Sequence, residues 1–205
     1  MKTIFIPVRS KSVVDESRVL EISKNIPKEI AVLFSVQYIN QAKKIKSLLE
    51  KKHKITKFSQ VLGCSKPNLP KETKAILLIS DGKFHGISLA FETKLPVYIF
   101  SNNKLEKISK EEIEKLEKKQ KVSLVKFLNS SNVGILVSTK PGQENLKKAI
   151  ELKKKLKKKN SFLFITNNIN KQEFENFSQI DSWVNTACPR MDMNDGEIVN
   201  INDVN

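Results

Sequence analysis

Cys64 and Cys188 are the only cysteines in the sequence, and each sits on a turn-forming stretch: Gly63 precedes Cys64 in QVLGCS, and Pro189 follows Cys188 in NTACPR. A glycine or proline beside a thiol lets the backbone turn and present the sulfur outward. Two cysteines without CxxC spacing build no disulfide framework. In a reducing compartment they are buried inert thiols, metal ligands or catalysts, and the residues alone leave these readings open. Two sulfurs cannot complete a four-ligand site for zinc or for an iron–sulfur cluster, so the two histidines, His53 and His85, would have to supply the rest. His53, enclosed in KKHK, reads as a solvated surface residue.

Two further stretches have the form of ligand loops. Ser80-Asp81-Gly82-Lys83-Phe84-His85-Gly86 follows the apolar run AILLIS and leads into a helical pattern. Backbone N–H groups at such a helix start can hold an anion such as a carboxylate, although an ordinary strand-to-helix loop needs the same Asp and Gly. Thr139-Lys140-Pro141-Gly142-Gln143 follows VGILVS in the same way and suits a carboxylate or phosphate, but lacks the GxxxxGK spacing of a nucleotide P-loop. The lysine run from Lys153 to Lys159, broken only by Leu156, falls in the last turns of a helical pattern, where cations complement the helix dipole and need no partner.

The elements that must position these loops alternate. Ile30 to Val36 and Val133 to Ser138 are short, continuous apolar runs of the kind buried on both faces of a parallel sheet. Each is followed by an amphipathic, lysine-backed helical segment, Ile39 to Lys52 and Glu144 to Lys159. Further strands are expected at Thr3 to Val8, Ile55 to Phe58, Ala75 to Ser80, Val97 to Phe100, Ser161 to Thr166 and Ser182 to Thr186. Helices are expected at Asp15 to Asn25, Gly86 to Thr93 and near Lys171 to Phe177, with a polar bridge from Ser101 to Lys121. The implied fold is α/β with two similar domains, 1–105 carrying Cys64 and 106–205 carrying Cys188, each a small parallel sheet flanked by helices. A shared rhythm of strand, helix, strand and cysteine makes Cys64 and Cys188 equivalent positions at strand ends, where ligands gather in open α/β sheets.

Composition narrows the function. The charge of +15 invites a nucleic-acid reading, but only Arg9, Arg18 and Arg190 among the 37 basic residues carry the planar guanidinium that base readout and bidentate phosphate gripping favour. Aromatics make up 7% and do not alternate with basic residues, so no specific nucleic acid is expected as a partner. The amino terminus MKTIFIPVRS has too short an apolar run for a signal peptide, and no uncharged stretch reaches the about 18 residues of a membrane span. The expectation is a cytoplasmic protein with no membrane partner.

Taken in order, QVLGCS, SDGKFHGISLAFETKLPVYIF, GILVSTKPGQ and VNTACPRMDMND resemble the archaeal diphthamide synthase family, the 2-(3-amino-3-carboxypropyl)histidine synthases, over nearly the whole chain. The resemblance implies a radical transferase whose members contain three similar α/β domains, each giving one cysteine to a [4Fe–4S] cluster. The open fourth iron binds S-adenosylmethionine, and reductive cleavage of its Cγ–S bond yields a 3-amino-3-carboxypropyl radical that attacks a histidine of elongation factor 2. By this resemblance Cys64 and Cys188 are the metal ligands of the second and third domains. Asp81, Gly82, Phe84 and His85 match the family's DG-x-FH stretch, and Gln37 its strand-end glutamine. These residues, with Thr139 and Gln143, are expected to face one strand-end cleft and to bind S-adenosylmethionine. The resemblance leaves the first domain and its cysteine outside this sequence. It therefore implies a split enzyme, completed by a separate first-domain polypeptide or a full-length paralogue. The competing expectations are a non-catalytic accessory subunit or degenerate paralogue that binds elongation factor 2, and an RNA-binding α/β protein whose affinity would fall steeply with salt.

Overall fold

The computed structural model describes residues 4, 6, 8–62, 67–188 and 197–204. The chain forms two compact units, Met1–Ile113 and Glu114–Asn205. No described helix is long and apolar enough to cross a membrane.

In the first unit, IAVLF is buried from Ile30 to Phe34 as the core of strand β1 (Glu29–Phe34), and AILLI is buried throughout as β3 (Ala75–Ile79). Both are central strands, which is why neither alternates. With β2 (Lys54–Gln60), β4 (Val97–Ser101) and β5 (Lys104–Lys107) they form a sheet of order β2-β1-β3-β4-β5. The pairs among β1 to β4 are parallel, and β5 turns back antiparallel to β4. Asn102 and Asn103 make that hairpin, with φ of 49° and 59°. Paired left-handed residues are the signature of the tight two-residue hairpin turn, and Asn tolerates them. Residue 105 lies inside β5, so the first unit extends past it to Ile113.

Helices cover both faces of this sheet. Helix α1 (Glu16–Ile22), capped by the Asp15 carboxylate accepting from the Arg18 N–H at 3.1 Å, and α2 (Ile39–Leu49) bury Val19, Ala42, Ile45 and Leu49 against Ile30, Val32 and Leu77. Helix α3 (Phe84–Thr93) places Leu89 and Ala90 on the other face against Leu33, Ile76 and Leu78. Each fully buried aliphatic side chain contributes about 1.5–3 kcal/mol by leaving water. Helix α4 (Lys110–Asn129) opens with a reciprocal cap. The Ser109 N–H donates to Glu112 at 2.9 Å, and the Glu112 N–H donates to Ser109 Oγ at 3.2 Å.

The second unit repeats the strand order. β6 (Asn132–Ser138), β7 (Asn160–Thr166), β8 (Ser182–Asn185) and β9 (Ile198–Asn200) form an all-parallel sheet, β7-β6-β8-β9. Helix α5 (Leu146–Lys155) and the end of α4 bury Ala149, Leu152 and Phe127 on one face. The other face is aromatic. Trp183 stacks on Phe174 at 4.2 Å and meets Phe164 edge-on at 4.7 Å. Gly134 is what admits the indole, since a Cβ there would lie 2.4 Å from Trp183. The segment Lys171–Phe177 that supplies Phe174 and Phe177 is a 3-10 helix rather than an α-helix.

Several expectations are corrected. Ile4, Ile6 and Val8 form no strand and are exposed, because no neighbouring strand takes them up. His53 is half-buried rather than solvated, with Nε2 3.1 Å from the Ser23 carbonyl oxygen. Lys159, at the end of the lysine run, is a cap: its Nζ donates to the Leu128 carbonyl at 2.9 Å and to the Ser130 carbonyl at 2.5 Å, satisfying carbonyls in the last turn of α4 and just after it. Lastly, Cys188 follows β8, which holds in its sheet the place of β3, while Cys64, its expected equivalent, lies outside the described residues.

Candidate functional site

Both sheets have their switch point between the first strand and the third, where the chain leaves to opposite sides. The crevice beyond the carboxyl ends of these strands is the general ligand position of open α/β sheets. In the first unit the switch point lies beyond β1 and β3, and in the second beyond β6 and β8.

Beyond β3, Ser80-Asp81-Gly82-Lys83 turns into α3, and Gly82 takes φ of +71° with open space around it. Asp81 is the hub. Its carboxylate accepts the Tyr38 hydroxyl on Oδ2 and the Ser101 hydroxyl on Oδ1, the latter at 2.5 Å. Tyr38 closes the 3-10 turn after β1 and Ser101 ends β4, so one carboxylate ties three strand ends together. The Ser101 and Tyr38 hydroxyls hold the Asp81 carboxyl below the usual carboxylate range. Burial, with the Asp81 carboxylate beside it, pushes the Tyr38 phenol up to about 12. Lys83 anchors the same loop by ion pairs to Glu106 of β5 and, at 3.0 Å, to Glu112 of α4. A strap before α1 lies on the β1 end: Arg9 donates to the Val36 carbonyl at 2.5 Å, and the Ser10 N–H to the Gln37 carbonyl at 2.8 Å. Between strap and strand ends lies a pocket of about 220 Å³, with Val14, Ile79 and Phe100 among its apolar walls and Tyr38, Gln41 and Ser101 among its polar ones.

Beyond β8, Thr186-Ala187-Cys188 is held by a buried amide. Asn185 accepts the Ala187 N–H at 2.9 Å, and its Nδ2 donates to the Cys188 carbonyl at 2.5 Å and to Asn200 Oδ1 at 2.9 Å. Thr186 donates its hydroxyl to the Leu136 carbonyl of β6 at 2.8 Å, and Asn145 Nδ2 reaches the Thr186 carbonyl at 2.9 Å. Ser182 to Ala187 are buried and Cys188 is half-exposed, so the thiol stands at the first accessible position after a pinned backbone.

The sequence-derived site residues fall at these strand ends. Gln37, Asp81, Gly82, Phe84 and His85 belong to the first unit, where Phe84 and His85 meet edge-on at 5.4 Å. Thr139 and Gln143 follow β6 in the second unit, Thr139 donating its N–H to the Thr166 carbonyl at 2.9 Å and Gln143 to the Lys140 carbonyl at 3.0 Å. The seven residues thus line the carboxyl edges of two different sheets. Cys64 lies outside the described residues. Tyr38, Ser101 and Asn185 were missed from sequence. The signal for Ser101 was present in the Asn-Asn pair that follows it, a hairpin-turn signature. For Asn185, a polar residue inside the apolar stretch SWVNTA was the clue.

Residues 1–198 match the model of the diphthamide synthesis proteins. The chain belongs to the diphthamide synthesis protein family. Within it, the 2-(3-amino-3-carboxypropyl)histidine synthase of Pyrococcus horikoshii is 29% identical over 94% of this chain and 60% of its own length. The synthase of the same name from Methanocaldococcus jannaschii is also 29% identical, over 95% of this chain and 57% of its own. Among solved structures, the crystal structure of Dph2 from Pyrococcus horikoshii with a 4Fe-4S cluster superposes with a TM-score of 0.80 at 26% identity, covering 93% of this chain and 61% of that one. The chain therefore spans about 60% of the length of the relatives it matches.

The donor chemistry of the second unit suits such a cluster. Thiolate is the protein ligand of iron–sulfur clusters. Cys188 is a half-exposed free cysteine on a backbone held by the Asn185 amide. Among the described residues no three His, Cys, Asp or Glu side chains gather as an alternative metal site.

Proposed function

We propose that this chain is the part of a [4Fe–4S], S-adenosylmethionine-dependent transferase that supplies two of the cluster's thiolates, acting in the first step of diphthamide formation on a histidine of elongation factor 2. The observation that carries the reading is Cys188 at the switch-point end of β8, pinned by Asn185, in a chain whose family membership extends over residues 1–198. Cys64 and Cys188 are the ligands, and because these 205 residues hold only 2 cysteines, a three-thiolate site takes its third from outside them. When bound, the cluster supplies the electron that cleaves the Cγ–S bond of S-adenosylmethionine. Cys188 contributes charge and a fixed anchor, with Asn185 holding its carbonyl. Gln37, Asp81, Gly82, Phe84 and His85 on one unit, and Thr139 and Gln143 on the other, bind the S-adenosylmethionine. The half-exposed Phe84–His85 edge offers an apolar surface, and the Asp81 carboxylate a negative one. The reaction places the protein in the cytoplasm, where its elongation-factor substrate works.

The test is anaerobic reconstitution with iron and sulfide of this chain in complex with the polypeptide that co-purifies on its tag. Cys64→Ala combined with Cys188→Ala should abolish bound iron and the EPR signal of the reduced complex. Unchanged iron and signal would overturn the ligand assignment. The low cysteine count also favours a second reading, an accessory subunit that docks elongation factor 2 beside a complete synthase. Under that reading the double variant keeps both the iron and the signal of the complex.

A further inference from the structure

Strand β7 is an open edge of the second sheet. Asn160 donates its N–H to the Ser131 carbonyl at 2.8 Å, and the Thr166 carbonyl accepts the Thr139 N–H at 2.9 Å. Asn160, Phe162, Phe164 and Thr166 therefore turn their backbone groups toward β6. Backbone groups of successive residues in a strand face opposite sides, so Ser161, Leu163 and Ile165 direct N–H and C=O groups away from the sheet. Among the described residues nothing hydrogen-bonds to them on that side.

An open edge pairs with extended chains that reach it, and folded proteins blunt it with charge, proline, bulges, short length or a covering segment. Among the described strands the other edges follow that rule. β2 carries Lys54 and Lys57 and shifts register against β1 between Ile30 and Ala31. It is also tied to the stretch that follows it, by the Thr56 and Thr73 hydroxyls at 2.7 Å and by Lys57 Nζ on the Asn68 carbonyl at 2.6 Å. β5 is KLEK, charged at all but one position, and β9 is short and wholly buried. None of these safeguards protects β7. Its sequence NSFLFIT has no charge and no proline, and it pairs with β6 in unbroken register. Phe162, on the Trp183 face, is 45% exposed, and Ile165, on the α5 face, is 58% exposed.

Charge narrows what the edge takes up. The chain enters β7 from Lys153, Lys154, Lys157 and Lys158, which are exposed and form no ion pair among the described residues. Two copies of a chain of net charge +15 repel one another, which disfavours pairing of β7 with its own copy. A nucleic acid would neutralise the lysines but has neither a peptide ladder for the outward backbone groups nor apolar side chains for Phe162 and Ile165.

We infer that β7 accepts an extended segment of a partner protein as an antiparallel edge strand, with apolar residues beside Phe162 and Ile165 and acidic residues at its carboxyl end. Antiparallel pairing is the more stable per residue, and β5 already pairs so at an edge of the first sheet. The antiparallel sense brings the segment's carboxyl end to Asn160, where the lysines are. Backbone hydrogen bonds supply the affinity, and the flanking charge selects the partner. β6 separates this edge from β8 and Cys188, and the contact involves neither cluster nor S-adenosylmethionine.

Amide hydrogen exchange of the 205-residue chain, followed by NMR, tests this with two synthetic peptides. Both begin with six residues of alternating threonine and valine; one ends in four glutamates and the other in four lysines. The acidic peptide is expected to bind with a Kd of about 0.1 mM, and the basic one at least about tenfold more weakly. At saturation, exchange at Ser161, Leu163 and Ile165 should slow at least about tenfold, while Phe162 and Phe164, already bonded to β6, change little. Ile165→Pro removes an outward N–H at an edge, where proline is tolerated, and should abolish binding. Lys157→Glu combined with Lys158→Glu alters only exposed side chains and should remove most of the preference for the acidic peptide. No binding of that peptide at about 1 mM, equal binding of the two, or binding without the alternating protection would each overturn the assignment. So would the same protection produced by polyuridylate, which would give the edge to a nucleic acid, or protection that grows with protein concentration alone, which would give it to a second copy.

Discussion

The loop after β3 and the loop after β8 occupy the same place in two sheets of the same strand order, yet they are held in opposite ways. Asp81 is exposed and ties its neighbours through charge-assisted bonds to Tyr38 and Ser101. Asn185 is buried and ties Ala187, Cys188 and Asn200 through its amide. An exposed carboxylate keeps lone pairs to spare for a ligand, whereas a buried amide with every group used fixes a backbone. The difference extends to the sheet faces. A full helix, α3, covers the second face of the first sheet, while the second relies on Trp183 and two phenylalanines of a 3-10 segment. One loop keeps spare acceptors in solvent, and the other leaves none.

The comparison breaks hardest at Trp183. Trp183→Ala removes the centre of the aromatic face and should cost about 3–5 kcal/mol in chemical denaturation, confined to the second unit. No single residue on the α3 face carries a comparable share, so a Leu89→Ala loss equal to it would show that the two faces are alike. Next is the contrast between the clamps. Asn185→Ala strands the Ala187 N–H and the side-chain Oδ1 of Asn200 in a buried setting and should cost about 1–3 kcal/mol. Ser101→Ala, beside a carboxylate that water can reach, should cost well under half of that by the same measurement. Equal losses would mean that both loops are structural anchors.

The smallest effect is in pH dependence, where the two shifted groups of the first unit act with opposite signs. Burial and the Asp81 bond raise the Tyr38 phenol from 10.0 to about 12. The stabilisation this reflects is fully present below the unfolded value and is lost as pH rises through about 12. Asp81 is shifted the other way, by the Ser101 and Tyr38 hydroxyls, so its contribution is present above the unfolded value of 3.8 and lost as pH falls through its lower folded value. Tyr38 lies in the first unit, so the alkaline weakening that it causes belongs to that unit. Spectrophotometric titration of tyrosinate should show a late-ionising phenol that Tyr38→Phe removes. If the variant leaves the late step in place, the Tyr38–Asp81 bond is not the one that orients the carboxylate.

Much of the fold was legible because it depends on local pattern. The runs IAVLF, AILLI and VGILV are too apolar and too short to be anything but central strands of covered sheets, and the lysine-backed stripes that follow them had to pack one face inward. The edge elements were harder to read. Thr3 to Val8 has the composition of a strand, yet Ile4, Ile6 and Val8 are exposed and outside any strand, while β5 and β9 are short and polar or isolated, so their existence depends on a neighbour rather than on propensity. Of the site, the Asp81 loop, the Thr139 loop and Cys188 were recognisable because each directly follows an apolar strand.

By itself, then, the sequence determined the class of fold, the strand ends on which the chemistry-bearing residues sit, and the limit of two thiolates. All of these follow from hydrophobic period, turn residues and composition, which are properties of neighbours along the chain. Tertiary structure decided what those residues touch. It brought Tyr38 and Ser101, separated in sequence from Asp81, onto one carboxylate, and placed Asn185 where it could lock Cys188 after β8. Pairing of parallel strands is non-local, set by crossovers whose endpoints no local pattern encodes, and so the company a residue keeps at a strand end is written only in the folded sheet.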